Sequence, residues 1–383
     1  MSTEEFFLRP ENAEWVCSSN NAIQLKLARP QPSQGEIFHP SFTYPLFGEA
    51  EQFYGYKNLK VKLHYTSGSL ATYLGVEYSE TLGAKHGATE IEPELMEHLA
   101  EGVYSNYDLF INKMKEDYEN FKPIGEKIHE YQSPRAKYPE NVQEHCFEIY
   151  KAGFKSPGFK QYHQRLQLFA LFYIEGASYI EEDDDRWEVA LIYEKLKIDG
   201  ITSYHIVGYC TMYQYFYFPD KIRMRISQFL ILPPYRKQGH ANVLYDTLYQ
   251  EFLRRSDIVE LTVEDPNEAF SDLRDKCDLR FLMARGTFDD LTAPVDKSIL
   301  DSIKKQYKLH KRQASRLLEM ALLKKLDKRN SKAARAYRLY VKARLYRFNE
   351  EALSSMEYND RLVKLEETYR SVEEDYYRLL NSL

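Results

Sequence analysis

With 383 residues, 52 lysines and arginines against 58 aspartates and glutamates, and a formal charge of −6, the chain is long enough for two or three domains and too acidic for wholesale phosphate binding. No run of about 18 apolar residues predicts a membrane span, and the acidic start MSTEEFFLRP lacks the basic and apolar parts of a secretory signal. An intracellular protein is expected, with no membrane and no direct nucleic-acid contact. Cys17, Cys146, Cys210 and Cys277 match neither a zinc spacing nor a disulfide framework, and the ten histidines show no HxxxH spacing. Reduced thiols and no metal are therefore expected.

In chain order, NLKVKLHYTSGSLATYLGVEYS carries alternating apolar residues on both sides of Ser67-Gly68 and predicts a hairpin. YSNYDLFINKMKEDYENF predicts a helix. The Pro-interrupted HEYQSPRAKYPE marks a soft boundary near residue 135. Beyond it VQEHCFEIYKA predicts a strand, and Ser156-Pro157 is expected to cap a helix whose apolar positions run from Phe159 to Ile174. WEVALIYEKL, HIVGYCTMYQYFYF and RMRISQFLIL predict an antiparallel meander. A helix from Gly239 to Phe252 and the strand VELTVED complete this region. After Pro266 the text turns helical and charged. Its basic block, KKLDKRNSKAARAYRLYVKARLYR, predicts a solvated helical surface with spaced ion pairs, or alternatively a nuclear address or partner contact.

The junction ISQFLILPPYRKQGHANVLYDTLYQEF joins an apolar strand to a helix through Arg236-Lys237-Gln238-Gly239-His240-Ala241. A first helical turn has free amides that suit an anion. Gly239 lets backbone approach a diphosphate, Ala241 keeps the second approach clear, and Arg236 and Lys237 add charge. There is no Gly-Lys-Ser/Thr of a P-loop and no GxGxxG after a strand, so nucleotide folds lose ground.

Arg-x-x-Gly-x-Ala after an apolar strand resembles the coenzyme A motif of the GNAT acetyltransferases. NNAIQLKLARP, YPLFGEAEQFYGYKNLKV, FYIEGASYIEEDDDRW, VGYCTMYQYFYFPDKIRMRISQFLILPPYRKQGHANVLY and LTVEDPNEAFSDLR together resemble the type B histone acetyltransferases, fungal members in particular, over roughly residues 20 to 275. The resemblance implies a mixed α+β fold. An N-terminal α/β domain would occupy residues 1–135, a central acetyltransferase domain with a mostly antiparallel sheet flanked by helices 136–268, and a helical region 269–383. It implies acetyl-CoA as cosubstrate, with Phe229, Leu230 and Ile231 pairing with the pantetheine arm and Arg236 through Asn242 (Lys237, Gln238, Gly239, His240 and Ala241 between them) on the pyrophosphate. Asn267, Phe270 and Arg274 would touch the far side of the coenzyme. Substrate contacts fall on Glu49, Ala50 and Glu51 and on Tyr213, Gln214 and Tyr215. The implied partners are core histones, the tail of histone 4 with histone 3, and a WD40-repeat histone-binding subunit, in cytoplasm and nucleus.

A free lysine has a pKa of about 10.4, so acetylating one at neutral pH requires a proton acceptor. Glu264 and Asp265 end the apolar strand VELTV, and Glu175 ends the apolar stretch LQLFALFYI, where apolar surroundings are expected. Each could equally be a capping or surface acid; the resemblance makes Glu264 the acceptor and gives Glu175 and Asp265 assisting roles. A backbone N–H near Leu230 is the natural oxyanion donor. An acyl-cysteine route would need an activated thiolate, and neither Cys210 nor Cys277 lies in a recognisable nucleophile context. The acid cluster EEDDDRW is either a solvated loop or an attractor for a basic peptide, and YQYFYF either a buried strand or a tail contact. A non-enzymatic histone-assembly factor and an acetyltransferase for another amine such as a polyamine are the competing readings.

Overall fold

The computed structural model describes residues 10–30, 35–133 and 142–383. The first nine residues of the acidic start and most of the Pro-interrupted boundary, 134–141, lie outside the described residues. Among the described residues no helix is long and apolar enough to cross a membrane. The chain divides into two compact units, Met1–Tyr213 with Ile226–His240, and Gln214–Arg225 with Ala241–Leu383.

The first unit opens with a small mixed sheet. In β1 (Ile23–Ala28) alternate residues Ile23, Leu25 and Leu27 are buried, as the period of two requires. β2 (Ile37–Phe38) pairs antiparallel to β1. A four-residue helix α1 (Tyr44–Phe47) follows. β3 (Lys60–Thr66) lies parallel to β1 with Leu25 opposite Leu63, and β4 (Thr72–Glu77) returns antiparallel with Leu63 opposite Leu74. The expected hairpin is therefore present, with a five-residue connection in place of a tight Ser67-Gly68 turn. α2 (Tyr107–Asn120) is capped by Asn106, whose side chain accepts from the amides of Asp108 and Leu109.

The larger sheet runs through β5 (Glu126–Tyr131), β6 (Glu144–Ala152), β7 (Trp187–Ile198), β8 (Ile201–Tyr217) and β9 (Lys221–Ile231), each beside the next. The register sets Ile149 against Ile192 and Leu191 against Tyr209, all fully buried. The predicted meander is β7–β8–β9. Between β6 and β7 stand α3 (Phe159–Leu166) and α4 (Leu168–Tyr173). They replace the single expected helix, because Phe159, Tyr162 and Leu166 form one face whereas all six residues of α4 are buried. Ser156 does not cap α3. Its hydroxyl faces the amide of Gly153, and the capping position is Gly158 at φ +76°.

In the second unit α5 (His240–Arg254) leads to β10 (Ile258–Val263). β10 lies beside the first half of β9, where Thr262 Oγ1 donates to the Met224 carbonyl. α6 (Glu268–Met283), α7 (Lys311–Lys325), α8 (Ser331–Phe348) and α9 (Tyr358–Leu380) make up most of the remainder. The solvated-surface expectation holds only for their outer faces. Tyr337, Val341 and Leu345 of α8 recur every four residues and are buried. Arg344 turns inward to Glu319 at 2.6 Å, and Arg316 bridges Asp275 at 2.7 Å and Asp375 at 3.2 Å. The carboxylate of Glu319, fully removed from solvent, also accepts from the Tyr376 hydroxyl at 2.8 Å. These charges hold helices together because each buried ion meets both a counter-charge and hydrogen bonds.

Candidate active site

β9 ends at Ile231, and a single 3₁₀ turn, Pro233–Tyr235, follows. The two prolines stop the ladder because they have no N–H to give it. Tyr235 folds back into the interior, and the loop beyond it emerges. Lys237 has φ +62° and Gly239 φ +92°, an alternation that turns successive amides toward one side, as in anion-binding nests. A Cβ at Gly239 would meet nothing within 4 Å, so that side of the loop is open. Among the described residues the amide of Gly239 donates to no backbone carbonyl. Ala241 and Asn242 follow in the first turn of α5, whose amides have no intrahelical acceptors.

The loop is stapled by its own side chains. Gln238 Nε2 donates to the Pro234 carbonyl at 3.0 Å and Arg236 Nε to the Ile231 carbonyl at 3.0 Å, while the Ser133 hydroxyl donates to the Gln238 carbonyl at 2.9 Å. The guanidinium of Arg236 lies 5.0 Å above the ring of Tyr173. The side chain of His240 points into the interior. It is buried, shares a 2.8 Å hydrogen bond between Nδ1 and the Tyr131 hydroxyl, and packs 4.3 Å from the ring of Phe147. Burial pushes its pKa down to about 4, so the ring is neutral.

Leu230 and Ile231 at the end of β9 are buried and Phe229 is half-buried. Just before them Gln228, also buried, donates from Nε2 to the Ser178 carbonyl at 2.9 Å. This brings the segment after Glu175 to the strand expected to meet the pantetheine arm. The same segment is tied to the N-terminal substrate candidates. The Gly176 amide donates to the Tyr44 hydroxyl at 2.7 Å, and Glu51 accepts from the amides of Thr43 at 2.5 Å and Tyr44 at 3.1 Å and from Asn20 Nδ2 at 2.9 Å. Glu51 thus orders α1, whereas Glu49 and Ala50 are exposed. Glu175 does not have the expected apolar surroundings. α4 ends at Tyr173 and the following turn carries Glu175 into solvent.

Glu264 and Asp265 follow β10 directly and are exposed, with Asp265 at φ +30°. Asn267 caps α6, its side chain accepting from the Phe270 amide at 2.9 Å. Phe270 is half-buried, 6.2 Å from the ring of Tyr245. Arg274 is buried, donates to the Leu261 carbonyl at 3.2 Å and lies 3.7 Å from Asp278. Asp265 and Arg274 share a polar recess of ≈ 900 Å³ within the second unit.

Four of the five acids of EEDDDRW are matched locally. Lys160 reaches Asp183 at 2.5 Å, Lys155 reaches Asp185 at 2.6 Å, and His163 meets Glu182 at 2.7 Å. Asp184 takes Arg186 at 2.6 Å and the Tyr213 hydroxyl at 2.8 Å, and these bonds hold its carboxyl below the usual range. Tyr213 is also flanked by Trp187 at 4.8 Å. In the second unit the rest of YQYFYF is a hairpin tip, not a buried strand, with Phe216 71% and Phe218 80% exposed. The rings of Tyr215 and Tyr217 there carry Arg225 and Arg223 at 4.4 and 5.6 Å.

Burial pushes the thiols of Cys146 and Cys277 up to about 11 and about 12, and that of Cys210 higher still. None of the three is a ready nucleophile. Glu130, Cys146 and Glu148 bring ligand-type atoms within 4.8 Å of one another. Lys127 and Lys195 already pair with those carboxylates, which leaves little negative charge for a cation.

Residues 15–175 match the family model described as histone acetyl transferase HAT1 N-terminus, residues 159–272 the acetyltransferase (GNAT) family, and residues 275–327 the fungal HAT1 C-terminal model. The histone acetyltransferase type B catalytic subunit of Cryptococcus neoformans is 42% identical across 96% of this chain and 97% of its own. The chain belongs to the type B histone acetyltransferase catalytic subunits. Proteins of that name from Mycosarcoma maydis and Rattus norvegicus are 40% and 33% identical across 94% and 97% of this chain, and 87% and 94% of their own. A solved aminoglycoside acetyltransferase from a soil metagenome is similar over 39% of this chain and 92% of its own at 17% identity, with a TM-score of 0.24. The type B chain is a histone N-acetyltransferase that uses acetyl-CoA, and the open, amide-lined face at Gly239 suits the diphosphate of that cosubstrate.

Proposed function

We propose that this acetyltransferase modifies lysines in the amino-terminal tail of histone 4, presented with histone 3, by direct attack of the lysine amine and with Glu264 as proton acceptor. The observation that carries the reading is the Gly239 loop, whose left-handed backbone and open face make a diphosphate cradle at a helix start. Acetyl-CoA, when bound, supplies an acyl group already activated as a thioester. In this reading Arg236 through Asn242 hold its pyrophosphate, Phe229–Ile231 align its arm, and Asn267, Phe270 and Arg274 meet its far end. A backbone amide near Leu230 is the donor toward the thioester oxygen.

Glu264 receives the proton that the incoming amine must lose, and Glu175 and Asp265 position the amine or assist that transfer. All three are exposed and so open to an incoming lysine side chain. Glu49–Glu51, Tyr213, Gln214 and Tyr215 are the tail contacts of this reading. The relatives are named catalytic subunits, which supports assembly with a further subunit; in this reading that subunit is a histone-binding WD40-repeat protein, and the enzyme works in cytoplasm and nucleus. The burial of Cys146, Cys210 and Cys277 disfavours an acyl-cysteine route through any of them. Mass spectrometry of core histones incubated with the purified chain and acetyl-CoA tests the reading. Acetylation confined to the histone 4 tail, and outcompeting spermidine, is expected; modification elsewhere, or a preference for the polyamine, overturns it.

A further inference from the structure

The carboxylate of Glu194, in the middle of β7, is the centre of a buried cluster in the first unit. It is only 6% exposed. Arg29, just beyond β1, donates to its Oε2 at 2.6 Å, and the Tyr235 hydroxyl donates to the same oxygen at 2.8 Å. His145 of β6 meets Oε1 at 2.9 Å. A charged side chain buried in the interior is costly unless every bond to it is made. Here the bonds come from β6, from the end of β1 and from the turn Pro233–Tyr235, three segments with no hydrophobic need to converge on one carboxylate.

Tyr235 immediately precedes Arg236. Its hydroxyl bond to Glu194 anchors the entry of the loop, just as the bond between His240 Nδ1 and the Tyr131 hydroxyl anchors the exit. The residues between, Arg236 to Gly239, include two with positive φ. Glycine adopts such a φ freely, but Lys237 at φ +62° keeps it only when its surroundings over-determine it. A loop fixed at both ends meets a diphosphate without first having to be ordered.

We infer that Glu194, itself held by Arg29 and His145, is a positioning residue for the coenzyme loop, acting through the hydroxyl of Tyr235. The inference rests on the reading that this loop receives the pyrophosphate. It also gives the N-terminal Arg29 a part in coenzyme binding.

The test compares two acyl donors, acetyl-CoA and S-acetylpantetheine, which lacks the pyrophosphate and the nucleotide, with core histones as acceptor. Tyr235→Phe leaves Glu194 paired with Arg29 and His145, so the fold is kept. It should raise the KM for acetyl-CoA about tenfold, the worth of one hydrogen bond to a charged group. It should leave kcat, the KM for histones and kcat/KM for S-acetylpantetheine within about twofold. Glu194→Gln should show the same split, more strongly; if it does not fold, Tyr235→Phe decides alone. Equal losses with both donors would mean general disruption and overturn the inference. Gly239→Glu, run in parallel, separates the two readings. A normal acetyl-CoA KM in Tyr235→Phe beside a raised one in Gly239→Glu overturns the positioning role alone, whereas a normal KM in both overturns the loop assignment and the inference with it.

Discussion

Gln228 Nε2 donates to the carbonyl of Ser178 at 2.9 Å, so the segment leaving Glu175 is fastened to the residue that precedes Phe229. The same side chain accepts from Tyr209 at 3.4 Å, and its backbone amide donates to Thr211 Oγ1 at 3.0 Å. Gln228→Leu keeps the size and removes the side-chain bonds. It should cost about 1 kcal/mol in urea denaturation and raise amide exchange over residues 176–180 about fivefold while leaving β7 protected. Unchanged exchange there would mean that the segment is ordered by Tyr44 alone.

Glu264→Gln keeps shape but cannot accept a proton at neutral pH. With acetyl-CoA affinity unchanged by calorimetry, kcat should fall about 10²- to 10⁴-fold. The rise of rate with pH should shift or disappear. Glu175→Gln and Asp265→Asn should each cost less, and losses that combine to less than their sum would point to one shared relay. A folded Glu264→Gln enzyme with near-normal kcat and an unaltered pH profile would move the proton acceptor elsewhere.

Neutralising Asp183, Asp184 and Asp185 together should change the KM for a basic histone peptide by no more than about twofold, because each acid already faces a basic side chain of the same unit. A several-fold rise in KM, with a flatter salt dependence, would restore the loop as an attractor.

His64, His205 and His240 are buried, with pKa values pushed down to about 4, about 3 and about 4, first of all by burial. In the unfolded chain each has a pKa of about 6.5. The sign follows directly: the unfolded state binds more protons below pH 6.5, so stability is complete above that value and is lost as pH falls toward 4 and 3. The loss is on the order of 3 kcal/mol for His64 and His240 and on the order of 5 kcal/mol for His205. Urea midpoints should drop steeply across this window. His64→Phe should shrink the drop, since neither nitrogen of His64 has a hydrogen-bond partner among the described residues and the ring sits beside Tyr73 and Tyr107. An undiminished drop in that variant would assign the acid sensitivity to other groups.

The strands and helices of the central region were legible because their apolar positions repeat with clear periods. The coenzyme loop was legible because Pro233-Pro234, Gly239 and Ala241 punctuate it. What could not be read was long-range. Nothing local pairs Arg29 with Glu194, 165 residues apart, or sends Gln228 to Ser178. The available signal was charge out of place, Glu194 within WEVALIYEKL and Arg29 closing IQLKLA, which marks a buried partner without naming it. The surroundings of Glu175 were misjudged for a related reason. An apolar helix shows where burial begins, but the turn that follows decides whether the next residue shares it. The tip of YQYFYF was open to the same error, since aromatic content alone does not separate a core strand from an exposed hairpin.

The inward-facing charges of the C-terminal helices bear on how this region can change over generations. Replacing Arg344 alone strands the carboxylate of Glu319, and replacing Arg316 alone strands that of Asp275, losses of about 3–5 kcal/mol that a marginally stable unit does not survive. Such positions can drift only by joint exchange, charge pair for charge pair or both for apolar residues of matching volume. Across related sequences they should therefore vary as linked couples, while the outward faces of the same helices vary one residue at a time.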